Sequence, residues 1–203
     1  MPNAYSQDKC PSTIKEINSD SRFKTDSSFL SRFIDDLGKG TDAIKYYSST
    51  LSCHYKNGDL SGEYPFEAGQ LNGIVKTYYV GGQLFEETPY KDGKTDGISR
   101  RYFPRGELEA EVPYVDGEIN GTANYYYMHN GKLSQSVPYE NGTRQGILKA
   151  YYTDGSLFFE ISYKDDSPIN GMCYKRDGGY TQKISLSNAQ LRNWGNGHSI
   201  RCD

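Results

Sequence analysis

The chain has 203 residues, enough for one substantial domain or a repeat array, and its formal net charge is −3 at pH 7. Its 19 tyrosines and 22 glycines favour a β-rich protein that turns often and packs with aromatic rings. The acidic balance argues against nucleic acid or an anionic membrane as a partner, and no apolar run is long enough to cross a bilayer.

The first segment, residues 1–48, does not fit the pattern that follows it. Thr13 and Glu16 have capping-box spacing, and the stretch SSFLSRFIDDL places its apolar residues on one face of a helix that stops at Gly38. A terminal repeat leaves an apolar flank that needs a cover. We therefore predict a small α-helical N-terminal cap over the end of a sheet.

From residue 49 to about 175 the sequence repeats with a period of 24 or 25 residues, in about five units. Each unit carries an aromatic pair, a glycine, a leucine two residues later, a second aromatic residue and a closing turn, which in the middle units is of the type KDGKTDG or ENGTRQG. Two strands with tight turns account for this order. The prediction is predominantly all-β: an elongated antiparallel β-hairpin meander, with two insertions, at 128–131 and 164–171, placed in turns.

Alternation along the second strand of each unit assigns its faces. Leucine, a mostly β-branched position and tyrosine form the side predicted to be buried or to face a ligand. The other side carries a column predicted to be solvated, and the first strands carry a basic column. The predicted solvated column is Glu87, Glu111, Ser136 and Glu160, and the basic column is Lys76, Arg100, Asn124 and Lys149. Residues 176–203 are predicted to form a C-terminal cap, with a short helix at Ser187 to Asn193.

Four cysteines, Cys10, Cys53, Cys173 and Cys202, lie far apart and lack the spacing of zinc or thioredoxin-like motifs. Two interpretations stay open. Four reduced thiols fit a cytoplasmic protein. Two disulfides, most economically Cys10 with Cys53 and Cys173 with Cys202, would tie each non-repeat end to the array. The second interpretation places the protein in the periplasm or cell envelope, after removal of a signal.

The signature G-x4-YY-x2-G-x-L-x5-Y-x2-G-x3-G is intact from Gly73 to Gly97 and, with Phe103 for the second tyrosine, from Gly97 to Gly121. With these residues the array resembles the MORN repeat family, in the variant form found in bacterial YwqK-type antitoxin proteins. The resemblance covers roughly residues 49–175. It implies a rod-like hairpin array that binds proteins, with members that act as antitoxins or immunity proteins.

The sequence contains no convincing reaction centre. The three histidines lie in different units or in the tail, and no GxSxG, phosphate-loop or HExxH motif occurs. Glu87 and Glu111 could in principle form a glycosidase pair, but a solvated glutamate column already explains them. We therefore expect no enzyme activity, no catalytic residue, no metal site and no cofactor.

The expected function is protein binding, by an immunity or antitoxin-type protein that is a monomer when free. It would neutralise a cognate toxin or effector by stoichiometric binding through its repeat sheet. The alternative is an envelope-associated structural scaffold, or an adhesion or assembly module without a toxin partner. Neither nucleic acid nor direct membrane insertion is expected. The residues predicted to contact the partner are Tyr78, Tyr102, Tyr126, Tyr151, Lys76, Arg100, Lys149, Asp92, Asp96, Asp116 and His129. The competing interpretation of the tyrosines is that they fill the sheet face in place of a second layer.

Overall fold

The computed structural model describes residues 49–177, 180–187 and 189–191. The predicted N-terminal helical cap lies outside these residues, as does most of the predicted C-terminal cap. The chain divides into two compact units, with the boundary between Lys94 and Thr95.

The first unit is an antiparallel sheet of hairpins. Its strand order is β1-β2-β4-β5, and the two-residue β3 pairs with the end of β2. The bounds are β1 (Ser49–His54), β2 (Leu60–Glu67), β3 (Gln70–Leu71), β4 (Gly73–Tyr78) and β5 (Leu84–Lys91), and β6 (Lys94–Thr95) spans the boundary between the units.

The second unit is also an antiparallel meander, with the order β7-β8-β10-β11-β13-β14-β15-β16. The all-β hairpin meander predicted from the repeat is therefore confirmed within each unit. The short strands that pair with the ends of the long ones, here β9 and β12, were not predicted. The bounds are β7 (Gly97–Tyr102), β8 (Leu108–Val115), β9 (Glu118–Ile119), β10 (Gly121–Tyr126), β11 (Leu133–Glu140), β12 (Thr143–Arg144), β13 (Gly146–Tyr151), β14 (Leu157–Lys164), β15 (Ser167–Asp177) and β16 (Tyr180–Ser185).

The Asp-Gly and Asn-Gly turns have the backbone conformation that their sequences predict. Asp116 and Gly117 have φ angles of 51° and 92°, and Asn141 and Gly142 have 48° and 79°. Two consecutive positive φ angles are the requirement of a type I′ hairpin turn. The Gly117 amide also donates a 2.8 Å hydrogen bond to the carbonyl of Thr95. Each such turn is thereby tied to the connection one repeat earlier.

The glycine that opens a repeat packs against a proline of the preceding hairpin. Gly121 has a φ of 116°, and a Cβ atom placed there would lie 3.0 Å from Cγ of Pro113. Gly146 stands in the same relation to Pro138, at 3.4 Å. A side chain at either position would be strained by the positive φ angle, and at Gly121 its Cβ atom would also lie closer to the proline ring than Cβ atoms usually approach. The recurrence of glycine and proline in the sequence follows from this close approach.

One face of each sheet forms the hydrophobic core. In the second unit, cross-strand partners such as Ala123 and Val137, or Leu148 and Ile161, are all at most 4% exposed. We call this side the core face, defined in the second unit by Ala110, Ala123, Val137, Leu148, Ile161 and Cys173. The prediction that the second strands bury their β-branched column is confirmed at Val137 and Ile161.

The second insertion does not lie in a turn, contrary to the prediction. β15 pairs continuously with β14, and the register passes from Tyr163↔Pro168 to Ser162↔Asn170. Ile169 is therefore the extra residue of a β-bulge, which absorbs one residue inside a strand while pairing continues on both sides.

The predicted C-terminal helix is represented by residues 189–191, which are helical. Ser187 and Gln190 form a capping box before it, because the Ser187 amide donates to Oε1 of Gln190 at 2.9 Å and the Gln190 amide donates to Oγ of Ser187 at 3.3 Å. No helix among the described residues is long and apolar enough to cross a membrane.

Candidate functional site

The side of the second unit opposite the core face carries a row of polar residues in continuous register. Asn124 lies opposite Glu111 on one side and Ser136 on the other, and Lys149 lies opposite Ser136 and Glu160. We call this side the ladder face, defined by Arg100, Glu111, Asn124, Ser136, Lys149 and Glu160. The two columns predicted separately, one basic and one solvated, form a single row because cross-strand partners share a face.

Within this row the glutamates are paired rather than simply solvated, which corrects the prediction. Nε of Arg100 lies 3.0 Å from Oε1 of Glu111, and the Glu111 side chain is 28% exposed. An ion pair at this exposure contributes little to stability, about 0 to 1 kcal/mol. Its main effect is to fix the two side chains across neighbouring strands.

In three hairpins a tyrosine of the first strand donates to a glutamate of the preceding hairpin; Tyr78 and Tyr126 are the first residues of aromatic pairs, whereas Tyr174 is followed by Lys175. Tyr126 donates to Glu111 at 3.0 Å and Tyr174 donates to Glu160 at 2.8 Å. Tyr78 of the first unit donates to Glu63 at 2.6 Å. Burial and then the hydrogen bond to Glu63 raise the pKa of Tyr78 to about 12. The same two causes raise the pKa of Tyr126 and of Tyr174.

The second tyrosine of a pair donates to a backbone carbonyl of the following hairpin. The hydroxyl of Tyr127 donates to the carbonyl of Tyr151 at 2.6 Å, and that of Tyr152 donates to the carbonyl of Tyr174 at 3.2 Å. Together the two tyrosines link three successive hairpins. The predicted contact residues Tyr78 and Tyr126 therefore connect successive hairpins, and their contact with a partner stays a prediction.

Large apolar side chains lie exposed at one end of the ladder face. Ile98 is 46% exposed and lies opposite Pro113, and Ile147 is 49% exposed on β13. Thr122 and Pro138 form the cross-strand pair between them. We call this set the isoleucine row, defined by Ile98, Pro113, Thr122, Pro138 and Ile147. Sequence reasoning missed it, although isoleucine follows the opening glycine at Gly97 and Gly146.

The remaining predicted contact residues do not gather at one place. Asp116 is exposed in the turn after β8, where its amide donates to Oδ2 of Asp96 at 3.4 Å. His129 is exposed in the turn between β10 and β11, with its ring 5.6 Å from that of Tyr127. Successive turns of an antiparallel meander lie at opposite ends of the strands, so the turn that holds Asp116 and the turn that holds His129 are separated by about the length of a strand.

Four further predicted contact residues lie on strands β4, β7 and β13 or in the turn after β5. Tyr102 is half-buried on β7, and Tyr151 is half-buried on β13. In the first unit, Lys76 lies opposite Glu63 on one side and Glu87 on the other. Asp92 is exposed in the turn after β5.

Cys53 and Cys173 are both buried on the core faces, and neither is a free thiol. The predicted pairings each include Cys10 or Cys202, which lie outside the described residues, so the pairings stay predictions. Among the described residues, no three histidine, cysteine or acidic side chains come together where they could hold a metal ion.

Comparison with known proteins supports the repeat. Three segments match the MORN repeat variant family model: residues 71–92, 95–116 and 144–165. The resemblance predicted from the signature is confirmed for these segments. Residues 117–143 lie between two MORN repeat variant matches, and they have the same order of one short and two long strands. The kinship with YwqK-type antitoxins stays a prediction.

No curated protein matches the chain. Among solved structures, it is similar to the S. aureus TarM G117R mutant in complex with Fondaparinux, alpha-GlcNAc-glycerol and UDP, at 10% identity and a TM-score of 0.33. The match covers 73% of this chain and 24% of that one, so the chain spans about a quarter of the length of the solved protein.

Proposed function

We propose that this chain is a protein-binding repeat module that docks on a partner protein through the ladder face of its second unit. We propose further that the partner is a toxin or effector, which the chain neutralises by stoichiometric binding. The isoleucine row is the observation that carries the proposal.

The isoleucine row has the composition of a protein-binding surface. Ile98 on β7 and Ile147 on β13 are separated by four strand intervals, about 19 Å at the usual strand spacing. Single exposed apolar residues are ordinary, but here isoleucine or proline lies on four of five neighbouring strands, with Ile98 opposite Pro113 and Thr122 opposite Pro138, so several apolar groups lie along one side of the sheet. The strands of the two isoleucines, β7 and β13, also carry Arg100 and Tyr151, which are half-buried. Arginine and tyrosine are enriched among the residues that contribute most of the binding energy at interfaces.

The charge pattern favours a protein over nucleic acid. Arg100 forms an ion pair with Glu111, and the ladder face carries charges of both signs instead of one basic stripe. A phosphate backbone needs several uncompensated cations. A protein surface with its own mixed charges is complementary to such a mixed row.

The repeat signature, which resembles that of YwqK-type antitoxins, supports a toxin or effector as the partner. Blocking a toxin needs no reaction centre, so a stoichiometric inhibitor is consistent with the chemistry of the chain. A partner bound on the ladder face without any protection of the cell would instead favour the envelope scaffold.

The decisive experiment coexpresses the chain with the toxic product of a neighbouring gene and measures survival and complex formation. The double substitution Ile98→Lys with Ile147→Lys is expected to abolish protection and to weaken binding at least a hundredfold, since it puts charges on two apolar side chains that the partner would bury. Val80→Lys is the matched control, because Val80 is 52% exposed but lies in the turn after β4. Full protection by the double variant, or no binding by the wild type, would refute the proposal.

The compartment has its own test. If the two predicted disulfides form, the isolated protein has no titratable thiol before reduction and four after it. Four titratable thiols in the protein as isolated would contradict both the disulfides and a periplasmic or envelope location.

A further inference from the structure

The ladder face breaks its own pattern at Ser136. A glutamate occupies the equivalent position in the neighbouring repeats, Glu111 before it and Glu160 after it, and each accepts a hydrogen bond from a tyrosine 15 or 14 residues later. The tyrosine that corresponds to Ser136 is Tyr151. The serine side chain is too short and carries no charge, so this repeat lacks the carboxylate.

Because this carboxylate is missing, two donor groups on the ladder face have no acceptor within the described part of the chain. Among the described residues, none accepts a hydrogen bond from the Tyr151 hydroxyl, and none forms an ion pair with the Lys149 ammonium group. Glu160, across the strand from Lys149, accepts the hydroxyl of Tyr174 instead. Asn124 and Ser136 complete the surroundings as cross-strand partners in the same row. All four side chains are half-buried.

We propose that this position, which we call the carboxylate gap and define by Asn124, Ser136, Lys149 and Tyr151, binds the carboxylate of an aspartate or glutamate on the partner protein. The inference rests on the proposed function and specifies the chemistry of its contact. The partner's acidic side chain occupies the place that Glu111 and Glu160 fill in the adjacent repeats. It accepts hydrogen bonds from the Tyr151 hydroxyl and the Lys149 ammonium group.

The internal repeats show why a carboxylate fits. At the equivalent site one hairpin earlier, a single carboxylate takes both a tyrosine hydroxyl from Tyr126 and a cationic side chain from Arg100. Tyr151 supplies the tyrosine hydroxyl one repeat later. Asn124 stands in the position of Arg100 there, and the cationic donor is instead Lys149, which lies opposite Ser136 on the next hairpin. Hydrogen bonds in which the donor or the acceptor is ionised are the strong class, and both bonds proposed here have the ionised carboxylate as acceptor; partial burial increases their contribution.

The location explains why the carboxylate comes from a protein. Lys149 and Ile147 are on the same strand, two residues apart, so both lie on the ladder face. An acidic side chain in the carboxylate gap therefore places its own neighbours over the apolar isoleucine row. Free phosphate fills the gap without touching that row and gains nothing from it.

The test follows the backbone amide signals of the 15N-labelled chain while a hexaglutamate peptide is added, with hexaglutamine and inorganic phosphate as separate probes. Saturable shifts confined to the carboxylate gap and the adjoining strands are expected with hexaglutamate alone. Hexaglutamine or phosphate binding as tightly as hexaglutamate would overturn the proposal, as would hexaglutamate shifts that do not saturate or that centre elsewhere.

Two substitutions sharpen this test. Ser136→Glu puts the repeat's own carboxylate into the gap and is expected to weaken hexaglutamate binding at least tenfold, and Lys149→Gln is expected to weaken it similarly. Ser134→Glu is the matched control, because it adds the same charge to β11 at a position where the preceding repeat carries Glu109. Binding by Ser136→Glu within twofold of the wild type would overturn the proposal.

Affinities measured with the natural partner distinguish a failure of the carboxylate gap from a failure of the proposed function. The Ser136→Glu variant is expected to bind the partner at least tenfold more weakly than the wild type. If Ser136→Glu binds like the wild type while Ile98→Lys with Ile147→Lys does not bind, the carboxylate gap fails and the docking face stands. If neither variant loses affinity, the proposed function fails with it.

Discussion

The carboxylate of Glu111 receives both the Tyr126 hydroxyl, at 3.0 Å, and the guanidinium of Arg100, at 3.0 Å. Arg100 lies on β7, Glu111 on β8 and Tyr126 on β10, which are three consecutive strands of the meander. One side chain thus joins two hairpins whose backbones pair directly only at Asn124↔Glu111 and Tyr125↔Ala110. Contacts of this kind supply order where the backbone ladder is short.

Removing the hydroxyl of Tyr126 is expected to destabilise the fold. Tyr126→Phe leaves the ring but takes away a partly buried donor to a charged acceptor, so we expect the free energy of unfolding to fall by about 1 kcal/mol. Tyr151→Phe is the matched control, because no described residue accepts a hydrogen bond from its hydroxyl. Urea denaturation of both variants measures the difference. Equal losses would contradict the role assigned to the Tyr126 hydrogen bond.

Gly121→Ala is expected to destabilise the protein more than Gly142→Ala. Both glycines have positive φ angles, but only at Gly121 would the added Cβ meet a neighbouring atom, 3.0 Å away on Pro113. Backbone strain alone costs about 1 to 2 kcal/mol for an alanine with positive φ, and the collision adds to it at Gly121. Thermal unfolding of the two variants tests the order, and a larger loss for Gly142→Ala would contradict the packing of glycine on proline.

Shortening isoleucine on the two faces is expected to have very different effects. Ile161 is 0% exposed on the core face, and Ile161→Ala should lower the free energy of unfolding by about 2 to 5 kcal/mol through lost burial and a cavity. Ile147→Ala, on the exposed isoleucine row, should change it by less than about 0.5 kcal/mol. Comparable losses for the two variants would show that the faces are assigned wrongly.

Alkaline titration tests the contact between Tyr78 and Glu63. The pKa of Tyr78 is raised from 10.0 to about 12, by burial first and then by the hydrogen bond to Glu63. A raised folded pKa means that this contact stabilises the fold fully below pH 10 and loses its effect as the pH rises towards 12. The difference in phenolate absorbance between the wild type and Tyr78→Phe should have a midpoint near 12.

Glu63→Gln provides the control for this titration. It removes the charged acceptor but leaves the burial, so the midpoint of Tyr78 should fall part of the way towards 10. An unchanged midpoint would contradict the role of Glu63.

The repeat made the fold predictable, because glycine, leucine and aromatic positions recur with a fixed period and alternation fixes which side each residue faces. Val137 and Ile161 are buried for that reason. The bulge at Ile169 was not predictable, since an inserted residue reads the same in a sequence whether a turn or a strand absorbs it.

The candidate site was only partly predictable. Lys149 and Tyr151 were named from the sequence, but their significance depends on a hydrogen bond between residues 15 positions apart in the neighbouring repeat. Periodicity shows that Ser136 replaces a glutamate. It does not show that a tyrosine of the next hairpin reaches that glutamate, because this depends on the offset between hairpins. Ile98 and Ile147 were not predicted to be exposed, because an isoleucine on a strand usually indicates a buried position.

The most direct test of the docking face is carbene footprinting of the chain alone and in complex with its partner. Ile98, Ile147 and Tyr151 should lose labelling when the complex forms, while Val80, which is equally exposed but lies in a turn, should keep it. Unchanged labelling of the two isoleucines in a saturated complex would contradict the central claim that the ladder face binds the partner.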